Sequence, residues 1–185
     1  LPLLVVGGPP LPGGRGGWLA VGTGAAWTSP DGTTWTLAPG GITPLQASDR
    51  VLALARTASG FLAVGANVPG SSQASGSPVA WTSANGLNWQ RLPAGSLHLA
   101  APGGRVLQLT GVAARGSRVI VEGQVVSTHR SGRHRTTSVS DRLWLSVNGG
   151  SNWAPAYLPV GSGAASLIDG VAATGSGFVA IRPGS

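Results

Sequence analysis

A phrase that returns three times constrains this chain more than any other feature. It reads Ala26-Trp27-Thr28-Ser29-Pro30-Asp31-Gly32-Thr33-Thr34-Trp35, then Ala80-Trp81-Thr82-Ser83-Ala84-Asn85-Gly86-Leu87-Asn88-Trp89, then Leu143-Trp144-Leu145-Ser146-Val147-Asn148-Gly149-Gly150-Ser151-Asn152-Trp153. Trp27 and Trp81 lie 54 residues apart, Trp81 and Trp144 63. Self-similarity at such a period marks a repeat architecture, whose units bury their apolar faces by stacking on neighbours. A second phrase precedes each copy of the first: Gly17-Trp18-Leu19-Ala20-Val21-Gly22, Gly60-Phe61-Leu62-Ala63-Val64-Gly65 and Arg118-Val119-Ile120-Val121-Glu122-Gly123. A fourth copy, Gly177-Phe178-Val179-Ala180-Ile181, follows near the end of the sequence.

Further apolar runs at 3–6, 51–55, 105–110 and 167–172 give each unit about four strand-length segments. Asp31-Gly32, Asn85-Gly86 and Asn148-Gly149 predict type I′ hairpins, with positive φ at both central residues, between the two tryptophan strands. The 31 glycines and 14 prolines fall between the apolar runs, as in a chain of tight turns and short strands. There is no lysine or methionine, one glutamate and no sustained i, i+3, i+4, i+7 pattern, so essentially no helix is expected. The expectation is an all-β partial β-propeller of about three and a half four-stranded antiparallel blades. Residues 1–185 form one domain, with units at roughly 1–40, 41–95 and 101–160 and the start of a fourth at 161–185. A β-sandwich also uses short strands, but it does not need the same hairpin three times. Trp27, Trp35, Trp81, Trp89, Trp144 and Trp153 read as packing elements between units.

These segments resemble the Asp-box, or BNR repeat, written Ser-x-Asp-x-Gly-x-x-Trp. Ser146, Asn148, Gly150 and Trp153 match that spacing with Asn in place of Asp. Ser29, Asp31, Gly32 and Trp35, and Ser83, Asn85, Gly86 and Trp89, match a form one residue shorter. The resemblance implies a sialidase-like propeller architecture, and the box itself is a fold-stabilising device found in enzymes and binding proteins alike. It also implies an exported protein, extracellular or in the cell envelope. The arginine-only, lysine-free, Gly- and Ala-rich composition points to a high-GC bacterial genome.

Sialidases add an arginine triad, a Tyr–Glu nucleophile pair and an acidic catalyst. This chain has one tyrosine, Tyr157, and one glutamate, Glu122, neither in a matching motif. Asp49 and Asp169, at or before first strands, are the only candidate pair of carboxylates for other glycoside hydrolysis, and they read more simply as turn or strand-entry caps. No catalytic residue is therefore assigned. His129 and His134 have no carboxylate or thiol close in sequence, so no metal site and no cofactor are expected.

The net charge of +7 comes from arginine alone, which serves solubility or attracts anions. It concentrates in His129-Arg130-Ser131-Gly132-Arg133-His134-Arg135, read as an inserted loop of the third unit, where Arg130, Arg133, His134 and Arg135 are candidate anion contacts. No motif for specific nucleic-acid binding is present, and a glycan or protein ligand is expected. The absence of cysteine excludes disulfides, and no apolar run is long enough for a membrane-spanning helix. The opening residues lack a start methionine and a basic stretch, so they do not form an intact signal peptide, and the chain reads as part of something longer. The function these residues favour is a non-catalytic binding or scaffolding module. The alternative is a portion of a sialidase-like or other glycoside hydrolase whose catalytic residues lie mostly elsewhere.

Overall fold

Apolar segments punctuated by glycine and proline form strands that pair antiparallel in sequence order, because short connections leave consecutive strands as nearest neighbours. The computed structural model describes residues 4–7, 17–22, 25–38, 45–70, 72, 75–158 and 168–181. The first sheet holds β1 (Leu4–Val6), β2 (Trp18–Gly22), β3 (Ala25–Ser29) and β4 (Thr36–Ala38). The second holds β5 (Asp49–Thr57), β6 (Gly60–Asn67), β7 (Ser77–Ser83) and β8 (Gln90–Pro93). One helical turn, α1 (Ala94–Leu97), leads to the third, with β9 (Gly104–Arg115), β10 (Arg118–Ser131), β11 (His134–Ser146) and β12 (Ala154–Ala156). The fourth pairs β13 (Gly170–Ala173) with β14 (Phe178–Ile181). Of the expected fourth unit, 161–167 and 182–185 lie outside the described residues.

Antiparallel partners project to the same face of a sheet, and the register makes the repeat visible in three dimensions. Val5, Ala20, Trp27 and Leu37 form one row across the first sheet. Leu54, Ala63, Trp81 and Arg91 form the matching row in the second, and Val112, Val121, Trp144 and Pro155 in the third. The opposite faces carry Leu4, Val21, Ala26 and Ala38, then Ala53, Val64, Ala80 and Leu92, then Gly111, Glu122, Leu143 and Ala156.

The sheets stack in one order. Leu19, Val21, Ala26 and Ala38 pack on Phe61, Ala63 and Trp81. Leu62, Val64 and Ala80 pack on Val119, Val121 and Trp144, and Ile120 and Leu143 pack on Val171, Phe178 and Ala180. In the second and third sheets the tryptophan row is thus the face laid against the preceding sheet. First strands also adjoin first strands: β1 lies beside β5, β5 beside β9, and β9 beside β13.

The first strands carry bulges, between Val51 and Ala53 on β5 and opposite Glu122 and Gly123 on β10. Gly65 and Gly123, the last residues of the shorter repeated phrase, face these bulges. A Cβ on Gly65 would overlap the Arg50 carbonyl, and one on Gly123 would meet the Gln108 carbonyl.

Candidate functional site

The turns of the three repeated segments, the boxes, are built by side chains, and this corrects the expected type I′ geometry. Gly32, Gly86, Gly149 and Gly150 have positive φ, at 80°, 75°, 73° and 97°, whereas Asp31, Asn85 and Asn148 do not. The reason lies in the serine that opens each box. Ser29 Oγ accepts the Gly32 amide at 2.8 Å, and Asp31 Oδ1 accepts the Thr33 and Thr34 amides, both at 2.8 Å. These bonds hold a wider loop, so only the glycine needs the left-handed region. Ser83 and Asn85 repeat the pattern on Gly86, Leu87 and Asn88. Ser146 and Asn148 repeat it on Gly150 and Asn152. In the first two boxes the indole N–H donates back to the box glycine, Trp35 to Gly32 and Trp89 to Gly86, both at 3.1 Å. The third box is one residue longer, and the buried Trp153 Nε1 has no partner among the described residues.

The Thr34 amide leads the bonds that hold the Asp31 carboxyl well below the usual carboxylate range, followed by those of Thr33 and Ser29. Each group here serves its own turn. The boxes therefore act as local frameworks that fix the hairpins.

Asp49 and Asp169 do not form a pair. Arg91 grips Asp49 in a two-pronged ion pair, Nε to Oδ2 and Nη2 to Oδ1, both at 2.8 Å. Asn67 Nδ2 adds a bond at 2.7 Å and the Gln46 amide one at 2.9 Å. Burial pushes the Asp49 carboxyl up, but the bonds from Arg91, Asn67 and Gln46 outweigh it and leave it below its ordinary value. Asp169 instead lies near Glu122, together with Asp141, whose Oδ2 accepts the Ile168 amide at 2.8 Å. Tyr157 is 87% exposed and shares a cleft of about 320 Å³ with Asp141 and Arg142.

Glu122 stands where the first two units place Val21 and Val64, inside the packing between the third and fourth sheets. The Thr110 hydroxyl donates to its Oε1 at 3.0 Å. Burial pushes its carboxyl up against the effect of that bond, and the negative charges of Asp141 and Asp169 push it further. A carboxyl whose folded pKa exceeds the unfolded value, about 4.3, gives stability that is full below that value and lost as pH rises through the folded pKa. Glu122→Gln is therefore expected to raise the melting midpoint at pH 7 by about 2–4 °C, as a gain on the order of 1 kcal/mol does in a chain of this size. The gain disappears toward pH 4. Thermal scans of both proteins at the two pH values check this, and a gain independent of pH would refute it.

The basic segment is a ribbon, which corrects its reading as a loop. β10 and β11 continue as an antiparallel pair to Ser131 and His134, past the last pairing of β9, Gly104 with Ser127. Thr128 faces Thr137 and Arg130 faces Arg135 across the ribbon, while Val126 lies between Val139 and Arg105. Period-two alternation puts Arg105, Arg130 and Arg135 on one face. His134 pairs with Ser131 on the other face, and Arg133 sits in the turn. The expected contacts thus divide: Arg130 and Arg135 come together, His134 points away, and Arg105 joins from 25 residues upstream.

A concavity of about 550 Å³ opens at the ribbon base, with Arg105, Arg135, Thr128 and Thr137 around it and Gly103 and Gly104 in its wall. A smaller one of about 220 Å³ lies against Thr128, Arg130 and Arg135. Gly103 has open space around it, whereas Gly104 packs closely against Val125 and Ser127 of β10. Arg105 donates through Nη1 to the carbonyl of Gly76, the residue before β7, which anchors its guanidinium. No acidic residue occurs from 123 to 140, so the ribbon itself contributes only positive charge to the cleft. Guanidinium pairs with adjacent hydroxyls suit sulfate, phosphate or carboxylate groups, which take parallel N–H donors.

Among the described residues no group of three or more His, Cys, Asp or Glu side chains is arranged to hold a metal ion, and no helix is long and apolar enough to cross a membrane. Comparison of the chain with protein-family models, with curated proteins and with solved structures finds no match.

Proposed function

We propose that this chain is a stretch of Asp-box β-propeller, three blades and the start of a fourth, that binds an anionic ligand through its basic ribbon and does not catalyse a reaction. The architecture is supported by the fixed stacking order, by equivalent tryptophan rows facing the preceding sheet, and by first strands that adjoin one another from β1 to β13. Strands around a central axis meet in that way. On this reading the protein is bacterial and acts outside the cytoplasm, where acidic glycans are encountered, and the box residues are structural.

The binding role rests on one observation: Arg105, Arg130 and Arg135 share a face of the ribbon, with Arg105 and Arg135 around a cleft of about 550 Å³ and Arg130 and Arg135 around a smaller one of about 220 Å³. The acidic residues support the non-catalytic half of the reading. Asp49 is occupied by Arg91, and Glu122 is buried in a sheet interface.

Heparin, a sulfated glycan, is the probe. The variant R130S/R133S/R135S is expected to elute from immobilised heparin at much lower salt than the wild type, because attraction between exposed charges is screened over about 8–10 Å at physiological ionic strength. Each lost contact flattens the dependence of log affinity on log salt by about one. Arg50 and Arg118 are exposed elsewhere, and R50S/R118S is expected to elute with the wild type. Co-elution of the ribbon variant with the wild type, or equal losses in both variants, would overturn the assignment.

A further inference from the structure

Where the second sheet meets the third, the molecule holds a cleft of about 450 Å³ that shares no residue with the basic ribbon. Its origin lies in the register. Leu62, Thr82 and Gln90 form one row across β6, β7 and β8, and Leu62 belongs to the face of the second sheet that packs on the third. The row starts apolar at Leu62 and turns polar at Thr82 and Gln90. Across from it the third sheet supplies Gly149 of the longer box, where an added Cβ would meet nothing within 4 Å. Polar groups on one side and a residue without a side chain on the other leave the gap unfilled. The β5–β6 turn forms a further wall with Thr57 and Ser59, whose hydroxyls lie 3.4 Å apart. The walls are tied to each other, because the Ala58 amide donates to the Gly116 carbonyl at 3.1 Å and the Gly149 amide to the Ser117 carbonyl at 2.7 Å. The cleft is therefore preformed, as small-molecule sites usually are.

We infer that this cleft binds a neutral sugar unit. None of the described residues lining it is charged, in a chain whose net charge is +7, so an anion finds no ionic partner there. A wholly apolar guest would shut the Thr57, Ser59 and Thr82 hydroxyls off from water without replacing their hydrogen bonds. Hydroxyls and carboxamides both donate and accept, which matches a sugar ring whose own hydroxyls do the same. Two amides stand ready for this. The second box uses the Asn88 backbone amide, bonded to Asn85 Oδ1, and the side chains of Asn88 and Gln90 are exposed. Phe61, Leu62 and Trp89 supply the apolar part of the lining, each almost wholly buried and so fixed in place. The C–H face of a sugar ring rests on such a surface.

NMR titration of the isotope-labelled chain reads the outcome. The probes are the methyl glycosides of glucose, galactose, mannose and N-acetylglucosamine, each taken to about 50 mM, which saturates a site of low-millimolar affinity. At least one is expected to shift the side-chain amide signals of Asn88 and Gln90 and the backbone amide of Gly149 along a saturating curve, and to leave the ribbon signals of Arg130, Arg133 and Arg135 in place. N88A/Q90A alters two exposed side chains, so a spectrum otherwise like that of the wild type is expected. The Gly149 signal then reports an affinity weakened at least about tenfold, the effect of losing two hydrogen bonds. R130S/R133S/R135S is expected to bind the sugar as the wild type does. No saturable response to any of the four glycosides, an unchanged affinity in N88A/Q90A, or equal shifts with sodium sulfate or with the neutral peptide mimic N-acetylglycinamide would each overturn the proposal. Heparin retention reads the ribbon alone, so failure of either reading leaves the other standing.

Discussion

Trp81→Ala is expected to lower the unfolding free energy by about 3–5 kcal/mol, the range for removing a large aromatic from a packed core. Trp81 has no exposed surface and joins two sheets, packing with Leu19 and Val21 of the first and with Val79 and Trp89 of its own. Alanine removes most of the 150–250 Å² that such a ring buries, and four rigid strands cannot collapse into the space. Trp27 tests this internally. It holds the same place in the repeat but is only half-buried, so Trp27→Ala is expected to cost roughly 1 kcal/mol, the average for single substitutions. Urea denaturation of the two variants decides the matter. Equal losses would show that the tryptophans serve their own hairpins rather than the contact with the preceding sheet.

The contrast between Trp27 and Trp81 also explains what could be read from the sequence. The repeat spacing located the β3–β4, β7–β8 and β11–β12 hairpins, because an Asp-Gly or Asn-Gly pair between apolar segments has few other uses. It misjudged the turn, because Ser29, Ser83 and Ser146 bond the loop amides and relieve Asp31, Asn85 and Asn148 of positive φ. Non-local pairing stayed hidden. Arg105 meets the ribbon only through a bulged register with Val126, and Asp49 is claimed by Arg91 from 42 residues away, so neither partner follows from neighbours in sequence. Glu122 was legible in part, as an acid where the other units carry Val21 and Val64, but its burial depends on Ile168 and β13 packing above it.

Gly65→Ala is expected to destabilise the protein by about 3 kcal/mol, at the upper end for forcing extra volume into a dense interior. The added methyl group would meet backbone, the Arg50 carbonyl of β5, which leaves no flexible side chain to yield. The bulge between Val51 and Ala53 brings that carbonyl close, and β5 adjoins both β1 and β9, so moving it disturbs two further sheets. Glycine in a strand interior commonly marks such close backbone approach. Gly70→Ala provides the comparison: Gly70 has positive φ but open space around it, so its cost is limited to about 1 kcal/mol of backbone strain. Thermal and urea unfolding of both variants separate the two causes. If Gly65→Ala is no more costly than Gly70→Ala, the repeated glycine at the end of the shorter phrase is kept for chain flexibility and not for the bulge.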